Sequence, residues 1–363
     1  MSTPTPIQIS YRSLWSDTAG LKDSLVAALG SEPGCLGIVV VSDLPPEFPV
    51  LREKLFRLAH RFATLPDDVK ERFAKPETSY SFGWSHGKEV MNGRPDTQKG
   101  SYYANPLIDH PDVSDELRSS YPEYYAGNVW PSGVEGLEEF EPTFKALGKV
   151  IFDVGIALAK ACDTFVSPTL ADSSSSTRPT ISSLIGESKS NKARLLHYYP
   201  ELSSSDTSRQ DEDQVKQNDA LCGTHLDHSL LTGLCSAMYL SSSDADTYDE
   251  GPKVVPAPSD TTGLWIYPRN SDTAVKVSIP QDCLAFQTGE ALSLLTGGRL
   301  AATPHFVSGS TASAKPVSRE TFAFFLQPDV NDVIGSDGET FGAFTKRVLG
   351  RHYAENIAQE AED

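Results

Sequence analysis

The chain has 363 residues, enough to bury a sizeable core. Hydrophobic residues make up 39% and charged residues 22%, the balance of a globular protein in water. A formal net charge of −18 repels phosphate backbones and anionic membranes, so no nucleic acid and no membrane surface is expected as a partner.

The N-terminal MSTPTPIQIS has no basic segment leading into an apolar run, and no window approaches 18 uninterrupted apolar residues. Cytosol and a monomer are the expectations. Five cysteines (Cys35, Cys162, Cys222, Cys235, Cys283) without a CxxC pair read as reduced, mostly buried thiols. Ile38 to Val41 is a compact apolar run closed by Pro45 and Pro46, which predicts a buried strand. Residues 48–64 carry Leu51, Leu55, Leu58 and Phe62 at helical spacing, and a short helix follows at Asp67 and Asp68. Residues 76–108 read as a long loop or ribbon rich in Gly, Ser, Tyr and Trp, of a length that is often functional. Residues 136–166 form the strongest predicted helix, with a stripe from Phe144 through Leu147, Ile151, Val154 and Leu158 to Cys162.

Residues 171–190, 203–219 and 241–260 are polar or acidic and read as surface insertions. From Ala193 onward short β-type runs follow one another between Gly, Pro, Asn and Asp: ARLLHYY, SLLTGLCSAMYL, LWIYP, VKVSI, CLAFQTG, HFV and TFAFFLQ. That pattern predicts an α+β protein with a double-stranded β-helix (jelly-roll) core, flanked by N-terminal and C-terminal helices. The expected organisation is a mixed α/β region over 1–180 packed on the core, the core over 181–340, and a C-terminal helix over 341–363.

The chemistry concentrates in that second half. His225 and Asp227, in CGTHLDHSLLTGL, are two apart. Residues i and i+2 of a strand share a face, so imidazole and carboxylate converge on one ion. His305, in AATPHFV, opens another predicted strand and is the third donor. Neighbouring His228 stands one residue off the Asp227 face. Two imidazoles and one carboxylate on one face leave half an octahedron open, the donor set of non-haem Fe(II) oxygenases. Arg319 and Thr321, in SRETFAFFLQP, form another i, i+2 pair at the start of an apolar strand. An inward-facing arginine there needs an anionic partner, and its planar fork suits a carboxylate.

HxD at His225 and Asp227, the distal His305 and R-x-T at Arg319 and Thr321 together resemble the Fe(II)/2-oxoglutarate-dependent dioxygenases, and more narrowly their isopenicillin N synthase-like branch. RLLHYYP (Arg194 to Pro200) resembles that branch's R-x-N-x-Y-P strand, CLGIVVVSDLP its first strand, and FRLAHRFATLPDDVKERF its helix. The resemblance spans roughly residues 7–350. It implies Fe(II) on His225, Asp227 and His305, with O2 as oxidant. It implies 2-oxoglutarate as co-substrate, its distal carboxylate on Arg319 and Thr321 with Tyr199 donating a further hydrogen bond. The implied activity is oxidation of a small molecule by hydroxylation, desaturation or ring formation, in biosynthetic metabolism. His197 stands where the branch has Asn, and Thr321 where it has Ser.

Loop 79–106 is expected to form part of the substrate wall. Arg94, Lys99, Ser101, Tyr102, Tyr103 and His197 are its candidate contacts, and the basic ones favour an amino acid or another carboxylate. The competing readings are an oxidase of the same branch that uses no 2-oxoglutarate, a cupin-like binding protein without chemistry, and a zinc hydrolase.

Overall fold

The computed structural model describes residues 5–88, 90–91, 94–170, 179–200, 220–241, 251–308 and 316–348. Its strands in chain order are β1 (Ile7–Ser10), β2 (Ile38–Ser42), β3 (Gly83–His86), β4 (Val90–Met91), β5 (Arg94–Pro95), β6 (Lys99–Ala104), β7 (Lys192–Tyr198) and β8 (Ala220–His225). They continue with β9 (Leu231–Cys235), β10 (Met238–Ser241), β11 (Lys253–Val255), β12 (Gly263–Ile266), β13 (Val275–Val277), β14 (Leu284–Thr288), β15 (His305–Ser308) and β16 (Val317–Leu326).

The large sheet runs β1-β2-β14-β9-β16-β7-β6-β3, and the smaller one runs β13-β12-β15-β8. Apart from the parallel β1–β2 pair at one edge, both have the consecutive antiparallel pairings of a jelly roll, as the segmented β-pattern predicts. The long β16 organises the large sheet. Its first half pairs with β10, its second half with β9, and its other edge with β7. The N-terminal region is woven into the same sheet: β1, β2, β3 and β6 all belong to it.

Alternation along β16 and β7 sorts side chains onto two faces. Phe322, Phe324 and Leu326 of β16 and Ala193 and Leu195 of β7 enter the main hydrophobic core. That core lies between the sheet and the helices Glu47–Ala63 and Phe140–Leu170, which bury Phe48, Leu55, Phe56, Phe62, Phe144, Leu147 and Ile151. Two glycines permit the close approach of helix to sheet. A Cβ on Gly155 would stand 2.3 Å from Cδ1 of Leu326, and one on Gly233 would stand 2.5 Å from Cγ2 of Ile151. The opposite face carries Arg319, Thr321, Ala323 and Phe325 from β16 and Arg194, Leu196 and Tyr198 from β7, and looks toward the smaller sheet.

Several expectations need correction. Of the two readings of residues 76–108, the ribbon holds over the loop: β3 and β6 pair antiparallel and join the sheet edge. The reason is aromatic burial: Trp84 and Tyr102 lie 5.2 and 5.1 Å from the ring of Phe62. Within the expected insertion 171–190, residues 171–178 lie outside the described residues, whereas Ile181–Glu187 is a helix capped by Thr180. Within 241–260, residues 242–250 lie outside them, and β11 pairs with β10. The insertion at 203–219 and the C-terminal stretch 349–363 also lie outside, and the C-terminal helix is described over 341–348. No two of the five cysteines are joined. Among the described residues no helix is long and apolar enough to cross a membrane.

Candidate active site

His305 and His225 face one another across the β15–β8 pair, their ring centroids 4.3 Å apart. β8 ends at His225, so Asp227 is presented by the following turn rather than by the strand itself. Its backbone is fixed there because its carbonyl accepts from the Glu290 N–H at 2.7 Å. The carboxylate then reaches both imidazoles, at 3.7 Å from Nε2 of His225 and 3.8 Å from Nε2 of His305. Burial raises the Asp227 carboxyl, but His305 and His225 pull it below the ordinary range, so it is a carboxylate at neutral pH. His228 turns elsewhere, toward Glu290 at 3.6 Å.

The remaining ring nitrogens prepare both histidines as ligands. Nδ1 of His225 lies 2.8 Å from the Gly223 carbonyl, and Nδ1 of His305 lies 3.1 Å from the Thr303 carbonyl. With an ion in place, a proton on each Nδ1 would donate to its carbonyl and leave the Nε2 lone pair for the metal. The Gln287 side-chain amide, wholly buried on β14, lies 2.7 Å from Nδ1 of His305, and with a proton on that nitrogen the amide turns its oxygen toward it as a second acceptor. The triad's donor atoms lie within 4.8 Å of one another, a spacing one ion can bridge.

Arg319 shares this pocket, a cavity of about 270 Å³ between the sheets. Its guanidinium lies over the Tyr198 ring at 4.9 Å, and its Nε and Nη1 are buried without a hydrogen-bond partner. Leaving two donors of a buried cation unpaired is costly, so the arrangement is built for an anion that completes it. Thr321 lines the same wall, its hydroxyl 3.3 Å from the Cys235 carbonyl.

Tyr199 and His197 do not belong to the pocket. Tyr199 faces the helical layer, its hydroxyl 3.4 Å from the Ala63 carbonyl and its ring 4.8 Å from His86. His197 is buried on that same side against Glu320. The pocket position belongs to Tyr198, which stands opposite Arg319 in the β7–β16 register. Tyr102 is likewise a core residue whose hydroxyl donates to the Val129 carbonyl at 2.6 Å. Ser101 and Tyr103 do reach the pocket wall, through Arg194: Ser101 Oγ accepts from its Nε at 2.9 Å, and Tyr103 lies under its guanidinium at 5.0 Å. Lys99 is buried and paired with Asp96 at 2.6 Å. Arg94 is in β5, with its side chain outside the described residues. Arg194 and Tyr198, which line the pocket, and Gln287, which packs behind His305, are residues that the sequence reading missed. For Arg194 and Tyr198 the signal existed, because they share strand parity with each other.

A second cluster, His60, His197 and Glu320, has donor atoms near enough for an ion. There the His197 Nδ1 and Glu320 carboxylate are already in direct contact at 2.8 Å, a hydrogen-bond distance, with no open side toward the pocket.

No protein-family model matches the sequence, and no curated protein matches it. Solved structures do. A protein from Caulobacter crescentus described as belonging to the 2OG-Fe(II) oxygenase family superposes with a TM-score of 0.65 at 18% identity, over 96% of this chain and 99% of that one. A full-length Neurospora crassa protein, solved in complex with alpha-KG and thymine, gives 0.60 at 18% identity over 89% of this chain and 86% of that one. The rice dioxygenase for auxin oxidation gives 0.56 at 15% over 96% of each chain. The fold is therefore that of the Fe(II)/2-oxoglutarate oxygenases of known structure. Nothing in these matches singles out the isopenicillin N synthase-like branch within them.

Proposed function

We propose that this protein is an Fe(II)- and 2-oxoglutarate-dependent oxygenase of a small molecule that carries a carboxylate, such as an amino acid. The observation that carries this reading is the coexistence, in one pocket, of a two-His, one-carboxylate cluster and a buried arginine with unpaired donors. His225, Asp227 and His305 fit Fe(II) and would hold it, and the bound iron would supply activation of O2. Arg319 and Thr321 would take the distal carboxylate of 2-oxoglutarate, and the tyrosine beside them is Tyr198, its ring packed on the guanidinium, rather than the Tyr199 to which the resemblance gave a hydrogen bond. An oxidase working without 2-oxoglutarate, or a zinc hydrolase, has no use for that arginine.

The direct test is anaerobic titration of the Fe(II)-loaded protein with 2-oxoglutarate, which should raise a weak visible charge-transfer band. Arg319→Gln removes a buried charged contact, about 3 kcal/mol, and should weaken 2-oxoglutarate binding about 100-fold. Unchanged affinity in that variant would assign the co-substrate elsewhere. A smaller effect is expected at Gln287. Gln287→Leu keeps the shape but removes the group against His305, and Mn(II) affinity should fall by about 10- to 100-fold in calorimetry. Wild-type affinity would leave the Thr303 carbonyl as the sole orienting contact.

A further inference from the structure

We propose that Arg52, on the helix Glu47–Ala63, is a positioning residue for the co-substrate: it fixes the turn between β9 and β10 and, through that turn, keeps the Thr321 hydroxyl available to the distal carboxylate of 2-oxoglutarate. The inference rests on the oxygenase reading above and adds a residue outside the pocket that shapes its anion-binding end.

The register of β16 puts the turn at that end. Glu320 pairs with Met238 of β10, and Ala323 pairs with Leu234 of β9. The stretch from Cys235 to Ala237 that joins the two strands therefore passes opposite Thr321 and Phe322, where β16 changes partner. Cys235, Ser236 and Ala237 line the cavity together with Thr321 and Arg319.

The consecutive carbonyls of this stretch are all engaged. That of Cys235 accepts from the Thr321 hydroxyl at 3.3 Å. That of Ser236 accepts from Nε and Nη2 of Arg52 at 2.8 and 2.6 Å, and that of Ala237 accepts from Nη2 at 2.9 Å. Arg52 is buried on the helical side, its guanidinium 5.0 Å from the Phe56 ring, so it draws the turn toward the helices. Among the described residues no carboxylate pairs with Arg52, and the neighbouring Glu53 is held by Arg57 at 2.8 Å. The fork is spent on the turn, and a planar guanidinium bonded through several donors holds its acceptors in one geometry.

The consequence lies at Thr321. Its hydroxyl has one proton and two claimants, the Cys235 carbonyl and the incoming carboxylate. At 3.3 Å the carbonyl's claim is weak, and the proton is readily given up. A turn released by Arg52 would let that carbonyl close on the hydroxyl and compete with the co-substrate for it.

The test uses the full chain loaded with redox-inert Mn(II). Calorimetry compares 2-oxoglutarate with 2-oxopentanoate, which keeps the chelating 2-oxo acid and has no distal carboxylate. Arg52→Gln should weaken 2-oxoglutarate binding about 10-fold and leave 2-oxopentanoate within about twofold of wild type. In a Thr321→Val background the same substitution should cost 2-oxoglutarate less than about threefold, because the hydroxyl through which it acts is gone. Arg52→Lys keeps the charge without the fork. It should fall between wild type and Arg52→Gln, and it serves if Arg52→Gln does not fold. Equal losses for both 2-oxo acids would mean that Arg52 only supports the fold, and would overturn the proposal. So would full 2-oxoglutarate affinity in Arg52→Gln, or a loss undiminished by Thr321→Val. Failure of the underlying oxygenase reading looks different: neither 2-oxo acid would bind the wild-type Mn(II) protein, and the proposal would fall with it.

Discussion

Asp227→Ala is expected to abolish succinate release and to lower metal affinity by more than about 100-fold, beyond what the loss of an outer hydrogen bond costs. The carboxylate is the anionic member of the triad and stands between the two imidazoles, at 3.7 and 3.8 Å from them. Without it, two neutral nitrogens remain on the pocket floor and compete poorly with water for Fe(II). The effect should be chemical rather than architectural. The backbone of Asp227 is held by its carbonyl contact with Glu290, which alanine keeps. Metal content measured on the purified variant should fall to background while the circular dichroism of the metal-free protein matches wild type. An Asp227→Ala protein that still binds one equivalent of Fe(II) and releases succinate would refute the assignment of the triad.

The reach of the sequence can be judged from the same residues. The i, i+2 rule puts Arg319 with Thr321 correctly, because β16 is regular and one face of it is strongly apolar. It also unites His225 with Asp227, although the strand stops at His225 and a turn completes the geometry. The rule fails at β7. A two-residue period fixes which residues share a face, but not which face looks at the pocket, and a one-residue slip exchanges the two sets. Only the pairing of His197 with Glu320 and Tyr198 with Arg319, between strands far apart in sequence, decides the matter. The motif's spacing therefore points to Tyr199 where Tyr198 stands. Residues 76–108 leave loop and ribbon open for a related reason. Gly- and Ser-rich composition suggests a loop, whereas the partners that make β3 and β6 strands are the distant Phe62 and Phe140 rings and the edge of β7.

The largest effect on stability is expected one residue beyond Arg319, at Glu320. This side chain is completely buried on the helix-facing side of β16. Its carboxylate accepts from Nδ1 of His197 at 2.8 Å and from the Ser318 hydroxyl at 2.8 Å, and His60 Nδ1 lies 3.7 Å away. Burial pushes its pKa up, yet His197 and His60 bring it below the ordinary glutamate value, so the group is charged at neutral pH. Removing one member of such a buried network strands the others. Glu320→Ala should cost about 3–5 kcal/mol, a drop in Tm on the order of 10 °C, while Glu320→Gln keeps the shape and should cost about 1–3 kcal/mol. The pH dependence has a definite sign. A carboxyl whose folded pKa lies below its unfolded value of about 4.3 stabilises the fold above that pH, and the contribution fades as pH falls toward the folded value. The Tm gap between wild type and Glu320→Gln should therefore be full at pH 7 and shrink below about pH 4.3. Thermal melts at both pH values check this, and a gap that does not change with pH would mean that Glu320 acts by shape alone and is neutral in the fold. Because Glu320 and Arg319 are adjacent on one strand and face opposite ways, such a loss would reach the pocket too: loosening β16 from behind should weaken 2-oxoglutarate binding even though Glu320 never touches it.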